Sequence, residues 1–202
     1  MKEHIGHHIG LFAAALITFF QPMEISAKES PSAPATTVFK QKVLRDGQHD
    51  FDFLLGSWKF HLSRLDHPLT GSAKWIEFDG TCICRPIWNG LAQIEEVELD
   101  GPKGRIQGLT LRLYNPQSQQ WNLNWASRST GMLGVPTIGS FDVKNGRGEF
   151  FDQEAVNGRM VLLRYVWSDI TSTSAHFEQS FSEDGGKTWE VNWITNQVRV
   201  QK

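Results

Sequence analysis

The chain has 202 residues, with 20 Lys and Arg against 22 Asp and Glu, and two cysteines. That balance, without a basic cluster, excludes nucleic acid or an anionic membrane surface as the main partner, and two cysteines exclude a disulfide framework or a structural zinc site. With 8 Trp, 13 Phe and 18 Gly, the composition points to an aromatic-rich domain long enough to bury its own core.

Residues 1–27 read as a secretory signal. Lys2 stands in a polar start, Ile9 to Phe20 is an uncharged apolar run of 12 residues, and Ile25-Ser26-Ala27 is a small-residue exit. Twelve apolar residues are too few to cross a bilayer. Export to the periplasm or beyond is expected, without stable membrane insertion after cleavage; retention as an anchor is the alternative. Residues 28–45 are expected to form a flexible linker, rich in Pro, Ser and Ala at its start, and 46–202 the folded domain.

One short helix is predicted at 51–55. Asp50 can cap it, Asp52 favours its dipole, and Phe51, Leu54 and Leu55 fall on one side. Gly56 ends the turn. Beyond it, turn signals recur at short intervals: His67-Pro68, Asn89-Gly90, Asp100-Gly101-Pro102, Asn115-Pro116, Asn145-Gly146, Asn157-Gly158 and Asp184-Gly185-Gly186. Asn-Gly accepts the positive φ of a tight hairpin. Between the turns apolar residues alternate: Trp58, Phe60, Leu62; Leu109, Leu111, Leu113; Trp121, Leu123, Trp125; Phe177, Phe181; Trp189, Val191, Trp193. A period of two means strands with one buried face. The chain therefore reads as all-β, about ten antiparallel strands in up-and-down order, closed into a barrel or a flattened clam. A two-sheet sandwich is the runner-up.

Phe51-Asp52-Phe53-Leu54-Leu55-Gly56-Ser57-Trp58 places Gly-x-Trp at the head of the first strand, which resembles the lipocalin and fatty-acid-binding (calycin) signature. The resemblance implies that Trp58 plugs the closed end of a barrel and that a basic residue of the last strand, here Arg199, lies across its ring. The wider set is His49 to Phe53, Thr110-Leu111-Arg112, Tyr114-Asn115-Pro116, Trp121 with Trp125, Arg164 with Trp167, Ser182 to Trp189, and Asn192-Trp193. It resembles a bacterial lipocalin-like family of domains of unknown function, over about residues 47–200. Leu54 departs from it, standing where an aromatic residue is expected. The family brings a fold and no reaction.

Ser182-x-Asp184-x-Gly186-x-Thr188-Trp189 matches the Asp-box turn of sialidases. One copy cannot build a propeller, so Asp184 and Trp189 are expected to be structural: the carboxylate takes backbone N–H groups and the indole tucks beneath. Cys82 and Cys84 share one strand face and read as buried small hydrophobes. Glu95, Glu96, Glu98 and Asp100 are an acidic run in which Glu95 faces opposite to Glu96 and Glu98. Arg112 and Arg164 stand mid-strand among apolar neighbours. If they point inward they can hold a ligand carboxylate or other anion by charge-assisted bonds, and if outward they are ordinary surface charges; Arg112 and the Leu109, Leu111, Leu113 row cannot both be inside.

The leading expectation is an exported barrel holding a small apolar or amphipathic molecule, with Trp121, Trp125, Phe177 and Trp193 as wall, Arg112, Tyr114, Arg164 and Gln179 as anchors, and Trp58 with Arg199 closing the floor. No catalytic constellation, cofactor or metal is expected, and oligomeric state is left open. An isomerase, cyclase or hydrolase acting on a lipid-like substrate in the same cavity is one alternative, with Glu178, His61 or Glu96 as its titratable group. A filled barrel serving as a structural or interaction module is the other.

Overall fold

The computed structural model describes residues 45–201; the signal and nearly all of the expected linker lie outside the described residues. Strands β1 (Gly56–Leu65), β2 (Trp75–Ile87), β3 (Ala92–Gly101), β4 (Gly104–Asn115) and β5 (Gln120–Ser127) form an antiparallel meander. A two-residue strand β6 (Met132–Leu133) touches only the end of β5. Then β7 (Thr137–Asp142), β8 (Arg147–Val156), β9 (Arg159–Ser168), β10 (Ser174–Ser182) and β11 (Glu190–Arg199) continue the order. β5 pairs with β7, and β11 returns to β1, which closes the ring of ten long strands with β6 outside it.

Hairpin chemistry behaves as the sequence leads one to expect at Asn157-Gly158, where both residues have positive φ (51° and 77°) and link β8 directly to β9. The Asn89-Gly90 connection differs: it is part of a 3-10 turn over Trp88–Gly90, with Trp88 and Asn89 both left-handed.

The predicted helix is a single 3-10 turn, Asp52–Leu54, with no side-chain cap. Asp50, expected to cap it, is instead ion-paired with Arg45. A three-residue repeat brings Phe51 and Leu54 to the same side, and both are fully buried as a plug in one end of the barrel.

Alternation decides which side chains are inside. Trp58, Phe60 and Leu62 point in and pack with Phe78, Cys82, Val97 and Leu99. Trp121 and Leu123 join the plug cluster with Phe51, Tyr114, Phe150 and Trp167. On β4, Arg112 and Tyr114 are buried, and Leu109, Leu111 and Leu113 of the opposite phase take the partly exposed outer face. On β11 the expected run Trp189, Val191, Trp193 is broken. A bulge leaves Asn192 out of the β10 register, since Gln179 pairs Trp193 while Ser180 pairs Val191. The extra residue changes the phase, so Trp193 faces inward and Trp189 lies outside.

Candidate functional site

The floor of the barrel is built first. Trp58 pairs with Arg199 across β1 and β11, and the guanidinium carbon sits 4.2 Å from the indole centroid. Arg199 also donates to three carbonyls, Leu55 at 2.6 Å, Phe53 at 2.5 Å and Ser172 at 2.8 Å. Trp58 Nε1 donates to the Leu54 carbonyl at 2.7 Å. The plug turn is thereby tied to both the first and last strands. Its entry is tied to β4 and β5: Gly47 N donates to Tyr114 Oη at 2.9 Å, and Trp121 Nε1 donates to the Gly47 carbonyl at 2.9 Å.

Above the plug lies a partly open cavity of about 130 Å³. Its aromatic wall is Phe60, Trp125, Tyr165, Trp167, Phe177 and Trp193, and its polar groups include Glu95, Thr110, Arg112, Gln179, Thr195 and Gln197. Strand period explains the set, because these are the inward positions of β1, β3, β4, β5, β9, β10 and β11 at mid-barrel height.

Of the residues singled out from sequence, Arg112, Trp125, Phe177, Gln179 and Trp193 meet in this cavity. Tyr114 and Trp121 do not line it. They are spent on anchoring Gly47 and packing Phe51. Arg164 does not line it either. It lies on the outer phase of β9, with its guanidinium carbon 4.3 Å from the Trp189 ring centroid. Desolvation under that ring pushes its pKa down.

The Asp-box turn forms as expected. Asp184 Oδ1 accepts from Ser182 Oγ, Lys187 N and Thr188 N at 2.8–3.0 Å, and its Oδ2 from Thr188 Oγ1 at 2.7 Å. These bonds, led by those from Thr188, hold the carboxyl down at about 2.

The titratable residues first considered for catalysis lie outside. His61 is bonded to Asp79 at 2.9 Å and lies 3.2 Å from Glu77 on the outer face; Glu178 contacts His176; Glu96 pairs with Arg85. The carboxylate inside is Glu95, which the same alternation places opposite Glu96. Its Oε2 accepts from Arg112 Nη2 at 2.5 Å and its Oε1 from Cys82 Sγ at 3.2 Å. Both members of the ion pair are almost fully buried. Arg112 Nη1 lies 3.9 Å from Cys84 Sγ, and the guanidinium carbon lies 5.2 Å from the Phe51 ring centroid and 5.8 Å from that of Trp167. Burial pushes the Cys84 thiol up to about 11, and the Cys82 thiol, beside Glu95, higher still. Both thiols are therefore protonated at neutral pH and poor nucleophiles. The signal for Glu95 was present in the sequence as a phase, but a charge in an acidic run reads as a solvated face until its partner Arg112 is known to be inside.

Nearer the other end of the barrel, β8 turns Asp152 and Glu154 inward. Burial and then the charge of Asp152 push the Glu154 carboxyl above its ordinary range. Among the described residues, no group of three or more His, Cys, Asp or Glu is placed to hold a metal ion.

No protein-family model and no curated protein matches the chain. Solved structures do. The S-type phycobiliprotein lyase CPES from Guillardia theta superposes with a TM-score of 0.55 at 10% identity, over 78% of this chain and 94% of that one. Rv2717c from M. tuberculosis superposes with a TM-score of 0.52 at 14% identity, over 78% of this chain and 99% of that one. The fold is a lipocalin-like barrel. At these identities the likeness is one of architecture, and the lipocalin-like barrel carries no residue roles across with it.

Proposed function

We propose that this protein is an exported carrier of a small apolar or amphipathic molecule, held in the barrel between the aromatic and the polar side chains of the cavity wall. The observation that carries this reading is the cavity itself. A volume of about 130 Å³ walled by six aromatic rings is on the scale of an apolar cavity that takes up one benzene-sized ring. It argues against a barrel filled by its own tryptophans. It fits a ligand whose buried part is a single ring or a short chain. The opening from His49 to Trp58 supports membership of the bacterial lipocalin-like family of unknown function.

A competing reading has its own observation. Glu95 places a carboxylate in the cavity wall, and one fold neighbour is named a lyase, so an enzyme could use the same space.

Native mass spectrometry of protein purified from its own host tests the proposal. A co-bound small molecule is expected, lost on Trp125→Ala or Phe177→Ala while the fold persists. Protein that is empty and takes up no ring-sized probe would overturn it. Turnover of the bound molecule on incubation, abolished in Glu95→Gln, would favour the enzyme.

A further inference from the structure

Resting on that small-molecule reading, we propose that the cavity selects a neutral hydrogen-bond donor, a phenol or an aromatic alcohol, through Glu95, and rejects carboxylates in spite of the arginine in its wall.

An arginine inside a barrel invites the opposite conclusion, but here its charge is already committed. Glu95 takes Arg112 Nη2 at 2.5 Å, Cys84 Sγ faces Nη1, and the Phe51 and Trp167 ring centroids lie 5.2 and 5.8 Å from the guanidinium carbon. A ligand carboxylate drawn to Arg112 would meet the charge of Glu95, whose side chain is 4% exposed and has no solvent to retreat into. It would then put two negative charges into one poorly solvated space. Two other donors of the wall are in use: Gln179 Nε2 donates to Asn192 Oδ1 at 2.8 Å, and Trp193 Nε1 to Thr195 Oγ1 at 3.0 Å, while Arg112 Nε and Trp167 Nε1 are buried without a partner.

Glu95 keeps acceptor capacity to spare. A carboxylate offers about four lone-pair sites. Glu95 uses two, one of them on the Cys82 thiol at 3.2 Å, which is a weak donor. A ligand O–H reaching Glu95 forms a charge-assisted bond, the stronger kind, without adding charge. The space left for it is one ring in size.

The experiment uses the purified protein at neutral pH with toluene, phenol and benzoate, followed by calorimetry and by quenching of tryptophan fluorescence. Phenol is expected to bind about tenfold tighter than toluene, and benzoate weakest. In Glu95→Gln the order of phenol and benzoate is expected to reverse, because the Arg112 charge is then unbalanced. Benzoate binding wild-type protein as tightly as phenol, or toluene matching phenol, would overturn the selectivity and leave the carrier reading standing. Failure of all three to bind would overturn both. The wild-type ranking decides the matter even if Glu95→Gln does not fold.

Discussion

Trp58 and Arg199 face each other across the first and last strands, and the guanidinium that covers the indole also grips the carbonyls of Phe53, Leu55 and Ser172. Arg199 therefore acts at once as ring cover, plug clamp and strand fastener. Arg199→Ala is expected to cost about 2–4 kcal/mol, from charge-assisted hydrogen bonds and the cation–π contact together. Arg199→Lys should recover only a small part, since an ammonium cannot fork to several carbonyls. Denaturant unfolding measures both, and a near-neutral Arg199→Ala would contradict the clamp.

Acid sensitivity should be traceable to the Asp184 turn. Its carboxyl is held at about 2, down from 3.8, so between those values the unfolded chain binds the extra proton. Stability from this group is complete above about 4 and is lost as pH falls towards 2. Asp184→Asn should be less stable at neutral pH and should flatten the decline over that window. A carboxyl titration by NMR with its midpoint near 3.8 would refute the assignment.

Glu154 should act with the opposite sign. Burial and Asp152 raise its carboxyl above 4.5, so the folded state holds its proton longer than the unfolded chain, and stability falls as pH rises through the folded value. Glu154→Gln is accordingly expected to raise the unfolding midpoint at pH 7 and to make no difference below pH 4. Equal midpoints at pH 7 would show that the carboxylate is solvated.

The Glu95–Arg112 pair should show strong coupling. Arg112→Met leaves a buried carboxylate unpaired and is expected to cost about 3–5 kcal/mol. Glu95→Leu strands the guanidinium with a similar loss. The double variant should be at least as stable as either single one, because an apolar pair of similar volume replaces a desolvated ion pair. Additive losses in a denaturant cycle would mean that the two side chains do not depend on each other.

The strand order and the Trp58–Arg199 match were legible in the sequence because each depends on a local signal: a period of two, a tight turn, a Gly-x-Trp opening. Faces were harder. Arg112 lies inside and Leu109, Leu111 and Leu113 outside, against ordinary hydrophobic ranking, because Glu95 on the adjoining strand neutralises the arginine. That pairing relates residues on two strands and leaves no trace in either alone. The bulge at Asn192 was equally hidden. One extra residue moved Trp189 to the outside, where it covers Arg164, which the alternation of β9 had already turned outward. Tyr114 and Trp121 carried the right chemistry for a pocket but sit one layer lower, where the Gly47 segment uses their polar atoms.

Because β1 finds its second neighbour only in β11, the ring cannot be completed until β11 has been synthesised. Until then β1 and the latest strand each present a bare row of amides and carbonyls to the surroundings. Pairings so distant along the chain make assembly slow, and loss of β11 would leave the chain open to association with its neighbours.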